Sequence, residues 1–145
     1  MRLLILSLGL FCVSSFASSV KDDNCKSPIS GISSSLMNDM YNTMRIDTDG
    51  LDKQKTTTEL LFNEPVDDNL AHQYAMQDFR ASPDGGTTAK DYFNIFSSYN
   101  PRNLIIKFTF FNHENKKDIF LVSAIVNDYE CSVRYNGYII VKREY

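Results

Sequence analysis

Two cysteines frame what this chain can fold into: Cys25 and Cys131, one near each end of the sequence that follows an apolar leader. Leu3 to Val13 is an apolar run behind a single Arg2, and small residues follow at Ser14, Ser15, Ala17, Ser18 and Ser19. That order is the pattern of a secretory signal peptide. A membrane-spanning helix needs ~20 apolar residues, and this run reaches roughly half of that. Cleavage is expected after Ala17, with Ser19 as the neighbouring alternative; retention of the leader as an anchor is the competing reading. Phe11 stands where a lipidated Cys12 would need a small residue, so a lipoprotein is not expected. Cleavage discards Cys12, the third of three cysteines. The two remaining thiols, in an oxidising compartment, predict one disulfide; free thiols or a link to another chain are the alternatives. Closing a loop of ~100 residues stabilises by at most ~4.7 kcal/mol on the entropic account. The expected division is a signal peptide over residues 1–17 and a single domain over 18–145.

Charge excludes some partners. The chain has 15 basic and 18 acidic side chains, net −3; loss of Arg2 leaves 14 basic and net −4. No run of five or more basic residues occurs, so nucleic acid is not an expected partner. Asparagine is frequent, yet no Asn-x-Ser/Thr sequon is present, which favours a bacterial periplasmic or secreted protein over a glycosylated one.

The first part of the chain reads helical. Ser27-Pro28 has the form of an N-cap followed by proline at the first helical position. Ile29, Ile32, Leu36, Met40 and Met44 recur at helical spacing, widened by Met37 and Tyr41, which predicts a helix from about Pro28 to Arg45. Asp47 to Lys55 is a polar loop, and Thr56 to Phe62 a short edge strand. Asn63-Glu64-Pro65 is expected to open a second helix, with Val66, Leu70, Tyr74 and Phe79 inward. Ser82-Pro83-Asp84-Gly85-Gly86 is a strong break. Thr87 or Thr88 caps a third helix with Tyr92, Phe93, Phe96 and Tyr99 inward. The period then changes. Leu104 to Phe111 alternates, Ile119 to Val126 is a continuous apolar run expected to be covered on both faces, and Tyr129 to Tyr135 alternates again. Asn136-Gly137 is the best hairpin signal, returning through Tyr138 to Lys142. The fold class is α+β: N-terminal helices packed on one face of a curved antiparallel sheet, a C-terminal meander, and one disulfide with Cys131 on a strand.

Catalytic signatures are weak. Asp47, Asp49 and Asp52 surround Gly50, but the glycine and the final glutamate of a calcium loop are not in register, so a solvated turn is the expectation. His72 and His113 are the only two histidines, without zinc-ligand spacing, and no metal or other cofactor is expected. No serine lies in Gly-x-Ser-x-Gly. A pocket enzyme would draw on His72, Asp91 and Tyr92.

Binding residues are more suggestive. Tyr129, Arg134, Tyr135, Tyr138 and Arg143 crowd the C-terminal segment, and Tyr and Arg are enriched at the energetic centres of interfaces. Cross-strand tyrosine pairing also explains them without a partner. Phe93, Phe96, Phe108 and Phe110 would line a pocket for a small apolar ligand, or simply fill the core.

Cys25-Lys26-Ser27, followed by Gly31-Ile32-Ser33-Ser34-Ser35-Leu36 and Asp39-Met40-Tyr41, resembles the start of the family of the secreted protein YebF and the periplasmic immunity protein against colicin M. The end resembles it too: Ile106 to Phe110, a polar turn over Asn112 to Lys117, Ile119 to Cys131, and Gly137-Tyr138 onward. The resemblance implies a small antiparallel sheet with helices and an end-to-end disulfide, and only Cys25 and Cys131 carry over residue by residue. The segment from Asp47 to Pro101 is longer than the family pattern. The arrangement is also similar to the nuclear-transport-factor-2-like and cystatin-like cones. The leading expectation is a non-enzymatic exported protein that binds another protein, most concretely a periplasmic immunity or inhibitor protein against a toxin. A small-ligand-binding or sensor subunit pairing with a membrane protein is the second expectation, and a pocket enzyme the third.

Overall fold

The computed structural model describes residues 24–145, so the expected leader, its expected cleavage position and Cys12 lie outside the described residues. The order is α1 (Gly31–Asn42), a 3-10 turn (Thr48–Gly50), β1 (Thr57–Pro65), α2 (Asp68–Ala81), α3 (Ala89–Ser97), β2 (Arg102–Phe111), β3 (Lys117–Val126) and β4 (Arg134–Lys142). The four strands form one antiparallel sheet in sequence order, leaving β1 and β4 at its edges. This is the expected α+β class.

The alternation of β2 and β3 divides the core. Leu104, Ile106, Phe108 and Phe110 share one face with Phe120, Val122, Ala124 and Val126, because successive side chains point to opposite faces. α1 lays Ile32, Leu36 and Met40 on that face, and all eleven residues are buried. Ile125 points the other way and is buried against Ala71 and Ala75 of α2 and Phe96 of α3. Helices therefore pack on both faces of the sheet, not on one. The α2–α3 hairpin reaches only one end of its face, since Ile105 and Leu121 remain part-exposed there.

Several local readings are corrected by tertiary pairing. α1 is capped by Ser30, whose hydroxyl accepts from the Ser33 N–H (3.3 Å). Ser27 instead accepts the Ile29 N–H (3.3 Å) within a preceding turn. Ile29 consequently leaves the buried stripe and is 85% exposed. β1 runs through Pro65 because Asn63, Glu64 and Pro65 pair with Leu104, Asn103 and Arg102. Proline is tolerated there because β1 is an edge strand. Arg102 reinforces this end by donating to Asn63 Oδ1 (2.6 Å) and to its carbonyl (2.9 Å). α2 starts later, with Asp67 accepting from the Leu70 N–H (2.8 Å), and its buried face centres on Ala71 and Ala75. Tyr99 lies beyond α3 and is exposed.

Asn136-Gly137 makes no hairpin. Both residues lie inside β4, at a register shift opposite Ser123 and Ala124. The positive φ of Gly137 (104°) serves a bulge, which demands the same freedom as a tight turn. The β3–β4 connection is residues 127–133, folded by Asn127 Oδ1 accepting from the N–H groups of Tyr129 (2.9 Å) and Glu130 (2.8 Å). Cys131 thus sits in a connection, not on a strand. β3 is not covered on both faces along its length either: burial alternates until Ala124, and only the last three residues are all buried.

Candidate functional site

Cys25 and Cys131 form the disulfide, with Cα atoms 4.9 Å apart. It ties the entry of α1 to the connection before β4. Gly31 sits at the same junction, where a Cβ would come within 3.1 Å of Ser132 Cβ, so the helix approaches the connection too closely for a larger residue without displacement.

The residues singled out for partner binding do not form one surface. Tyr129 is exposed and meets Tyr99 edge to face, ring centres 4.8 Å apart. Arg134 is held by Asp78 of α2 (2.7 Å) and lies over the Tyr74 ring (4.3 Å). Tyr135 and Tyr138 pack against the main core, with Tyr138 edge-on to Phe120 (6.0 Å). Arg143 Nε lies 3.5 Å from Oδ2 of Asp118, a fully buried carboxylate whose Oδ1 accepts from the Glu144 N–H (2.7 Å). All five therefore have structural partners inside the molecule.

The four phenylalanines are split as well. Phe108 and Phe110 stack in the main core (5.9 Å), while Phe96 and Phe93 belong to the cluster on the opposite face. Each of the residues considered for catalysis has a local structural partner. Asp91 closes a capping box with Thr88, and the Thr88 hydroxyl (2.6 Å) and N–H (3.0 Å) hold its carboxyl below the usual range. Tyr92 stacks on Phe96 (6.1 Å), and the exposed His72 meets Phe93 edge-on (6.0 Å). In the acidic loop, Asp47 accepts from the Asp49 N–H (3.0 Å), and Asp52 from those of Gln54 (3.1 Å) and Lys55 (3.3 Å). Among the described residues no group of three or more His, Cys, Asp or Glu is placed to hold a metal ion.

Among the described residues, β4 carries three consecutive exposed large apolar side chains. Ile139, Ile140 and Val141 are 65%, 45% and 55% exposed. Among the described residues no strand pairs with their outer edge. Beside them, Tyr74, Ile105, Leu121 and Ile139 line an open cleft of about 330 Å³. The triplet was visible in the sequence as a strand, but its edge position follows only from the strand order. Unpaired edges that expose apolar side chains are templates for a further strand.

Comparison with family models, curated proteins and solved structures finds no match.

Proposed function

We propose that this chain is an exported, non-enzymatic protein that binds another protein, most concretely an immunity or inhibitor protein against a toxin acting in the periplasm. The observation that carries the reading is the β4 edge, unpaired among the described residues, with its exposed Ile139–Val141 and the adjoining cleft. An extended partner segment adds to such an edge through main-chain hydrogen bonds, and its alternate side chains enter the neighbouring groove. The cations at the two ends of the strand are already paired within the molecule, Arg134 with Asp78, Lys142 with Glu144 and Arg143 with Asp118, which leaves the apolar triplet as the unpartnered feature of this edge. An apolar strand of another protein is the occupant that the exposed Ile139, Ile140 and Val141 fit. The leader, the disulfide and the resemblance to the colicin M immunity family support the compartment and the class of partner.

Photo-crosslinking in cells from position 139, with the exposed position 90 on α3 as control, tests the reading. A discrete protein adduct from position 139 that disappears in Val141→Lys is expected. No adduct at 139, or equal labelling from both positions, overturns it.

A further inference from the structure

A second cleft lies on the opposite side of the molecule from the α2–α3 hairpin. The entry of α1 supplies Pro28, Ile29, Ser34 and Met37; the loop after the 3-10 turn supplies Leu51, Lys53 and Thr56; and Phe110 also lines it. It measures about 210 Å³. We propose that this cleft binds a medium-chain aliphatic carboxylate, tail inward and head group at Lys53.

The apolar part is built into the fold. Phe110 and Leu51 are buried members of the main core, and Met37 packs against it. Ile29 stands at the cleft 85% exposed, because α1 begins only after the Ser30 cap. An exposed isoleucine beside an open apolar cleft leaves two apolar surfaces facing water, which a hydrocarbon tail covers together. Methionine adapts its shape to such a tail. An apolar void of ~150 Å³ accommodates benzene, so this cleft suits a tail of about six to eight carbons.

The head group follows from the loop. The Asp52 N–H donates to the Phe111 carbonyl (2.7 Å), and Leu51 bridges to Asn112, which fixes the loop against the end of β2. The Asp52 carbonyl then accepts from the Lys55 and Thr56 N–H groups (3.1 and 3.2 Å), and its side chain caps the same turn. Lys55 is turned away to Asn115 (2.7 Å) and Asp52 (3.4 Å). Lys53 is the charged residue lining the cleft and makes no ion pair among the described residues. One ammonium beside an apolar cleft matches a single negative charge rather than a phosphate dianion.

Calorimetric titration of the disulfide-intact protein with octanoate, 1-octanol and acetate tests the assignment. Saturable octanoate binding, weaker binding of octanol and none of acetate are expected. Lys53→Gln should weaken octanoate by roughly threefold to tenfold and leave octanol unchanged. Ser34→Phe fills the cleft from an exposed helix position and should abolish both. Absence of saturable octanoate binding, equal binding of acetate, or undiminished octanoate binding to Ser34→Phe overturns the proposal. These outcomes are independent of the crosslink at position 139.

Discussion

Arg134 of β4 grips Asp78 of α2 through two nitrogens, Nε at 3.0 Å from Oδ2 and Nη2 at 2.7 Å from Oδ1. Asn136 takes another guanidinium hydrogen and the Tyr74 ring lies beneath the cation, so one side chain fastens the helical hairpin to the last strand. Sequence proximity to tyrosines suggested an interface arginine; the geometry makes it an internal staple. Asp78→Ala leaves a guanidinium that is only 16% exposed without its carboxylate. The expected cost is about 1–3 kcal/mol. Arg134→Lys should also destabilise, because an ammonium cannot reproduce the planar fork. Urea unfolding midpoints measure both, and unchanged midpoints would show that the staple contributes nothing.

The disulfide joins residues separated by 106 positions. Reduction, or Cys131→Ser, should lower unfolding stability by about 2–4.7 kcal/mol, mainly by releasing the unfolded chain. Thermal melts with and without reductant, alongside intact mass, read this directly. Coincident melts of oxidised and reduced protein would show that the clamp is not needed to hold α1 on the sheet.

Local chemistry was legible wherever one short segment decides the outcome. The Thr88 cap and the Pro-Asp-Gly-Gly break belong to that kind, while the cysteine pair was legible because the expected loss of the leader leaves only two thiols to join. Ser27 and Ser30 are both competent caps, and only the packing of Ile32, Leu36 and Met40 on the sheet selects the second. Asn136-Gly137 satisfies a hairpin turn and a strand bulge equally, because both require positive φ; pairing with β3 decides between them. The same non-local pairing keeps Pro65 in a strand and places Ile139–Val141 on an edge. Neither candidate site could be assembled from sequence, since each joins segments that meet only after the sheet has formed.

Two phenols are expected to make stability fall at alkaline pH. Burial, and then the Asp39 carboxylate, push Tyr135 well above the usual tyrosine range; burial, and then Asp118, do the same to Tyr145. Neither hydroxyl makes a well-formed hydrogen bond, but Asp39 lies near enough to the Tyr135 hydroxyl to favour its protonated form by charge and by hydrogen bonding, while Asp118 acts on Tyr145 as a nearby charge. The folded phenols hold their protons after the unfolded ones, near pH ~10, have begun to lose theirs. Their contribution is complete below that pH and is lost as pH rises through the folded values. Stability should therefore decline above pH ~10, and the decline should be shallower in Tyr135→Phe and Tyr145→Phe. At neutral pH Tyr145→Phe should be close to neutral or slightly stabilising, because it removes an unsatisfied buried hydroxyl. Melting temperatures measured from neutral to strongly alkaline pH decide the matter; parallel curves for wild type and both variants would contradict it.

The end of α1 offers a stabilising substitution. The Ile46 N–H reaches back to the Met40 carbonyl (2.9 Å), and Ile46 is buried in the same core cluster as Met40. That bond reaches back six positions, one further than a Schellman ending, with an apolar contact across it, and the chain closes it with the residue before Ile46 in the left-handed region. Arg45 occupies that position with φ 59°, where glycine is the usual choice. Arg45 makes no ion pair among the described residues, so little is lost with its side chain. Glycine also increases the freedom of the unfolded chain, which offsets part of the relief. Arg45→Gly should raise stability by up to ~1 kcal/mol, and Arg45→Val should lower it, because a β-branched residue is disfavoured at positive φ. Chemical denaturation of the two variants beside wild type gives the order Gly, Arg, Val if the strain lies in this residue's backbone. An inverted order would place the stabilising contribution in the arginine side chain instead.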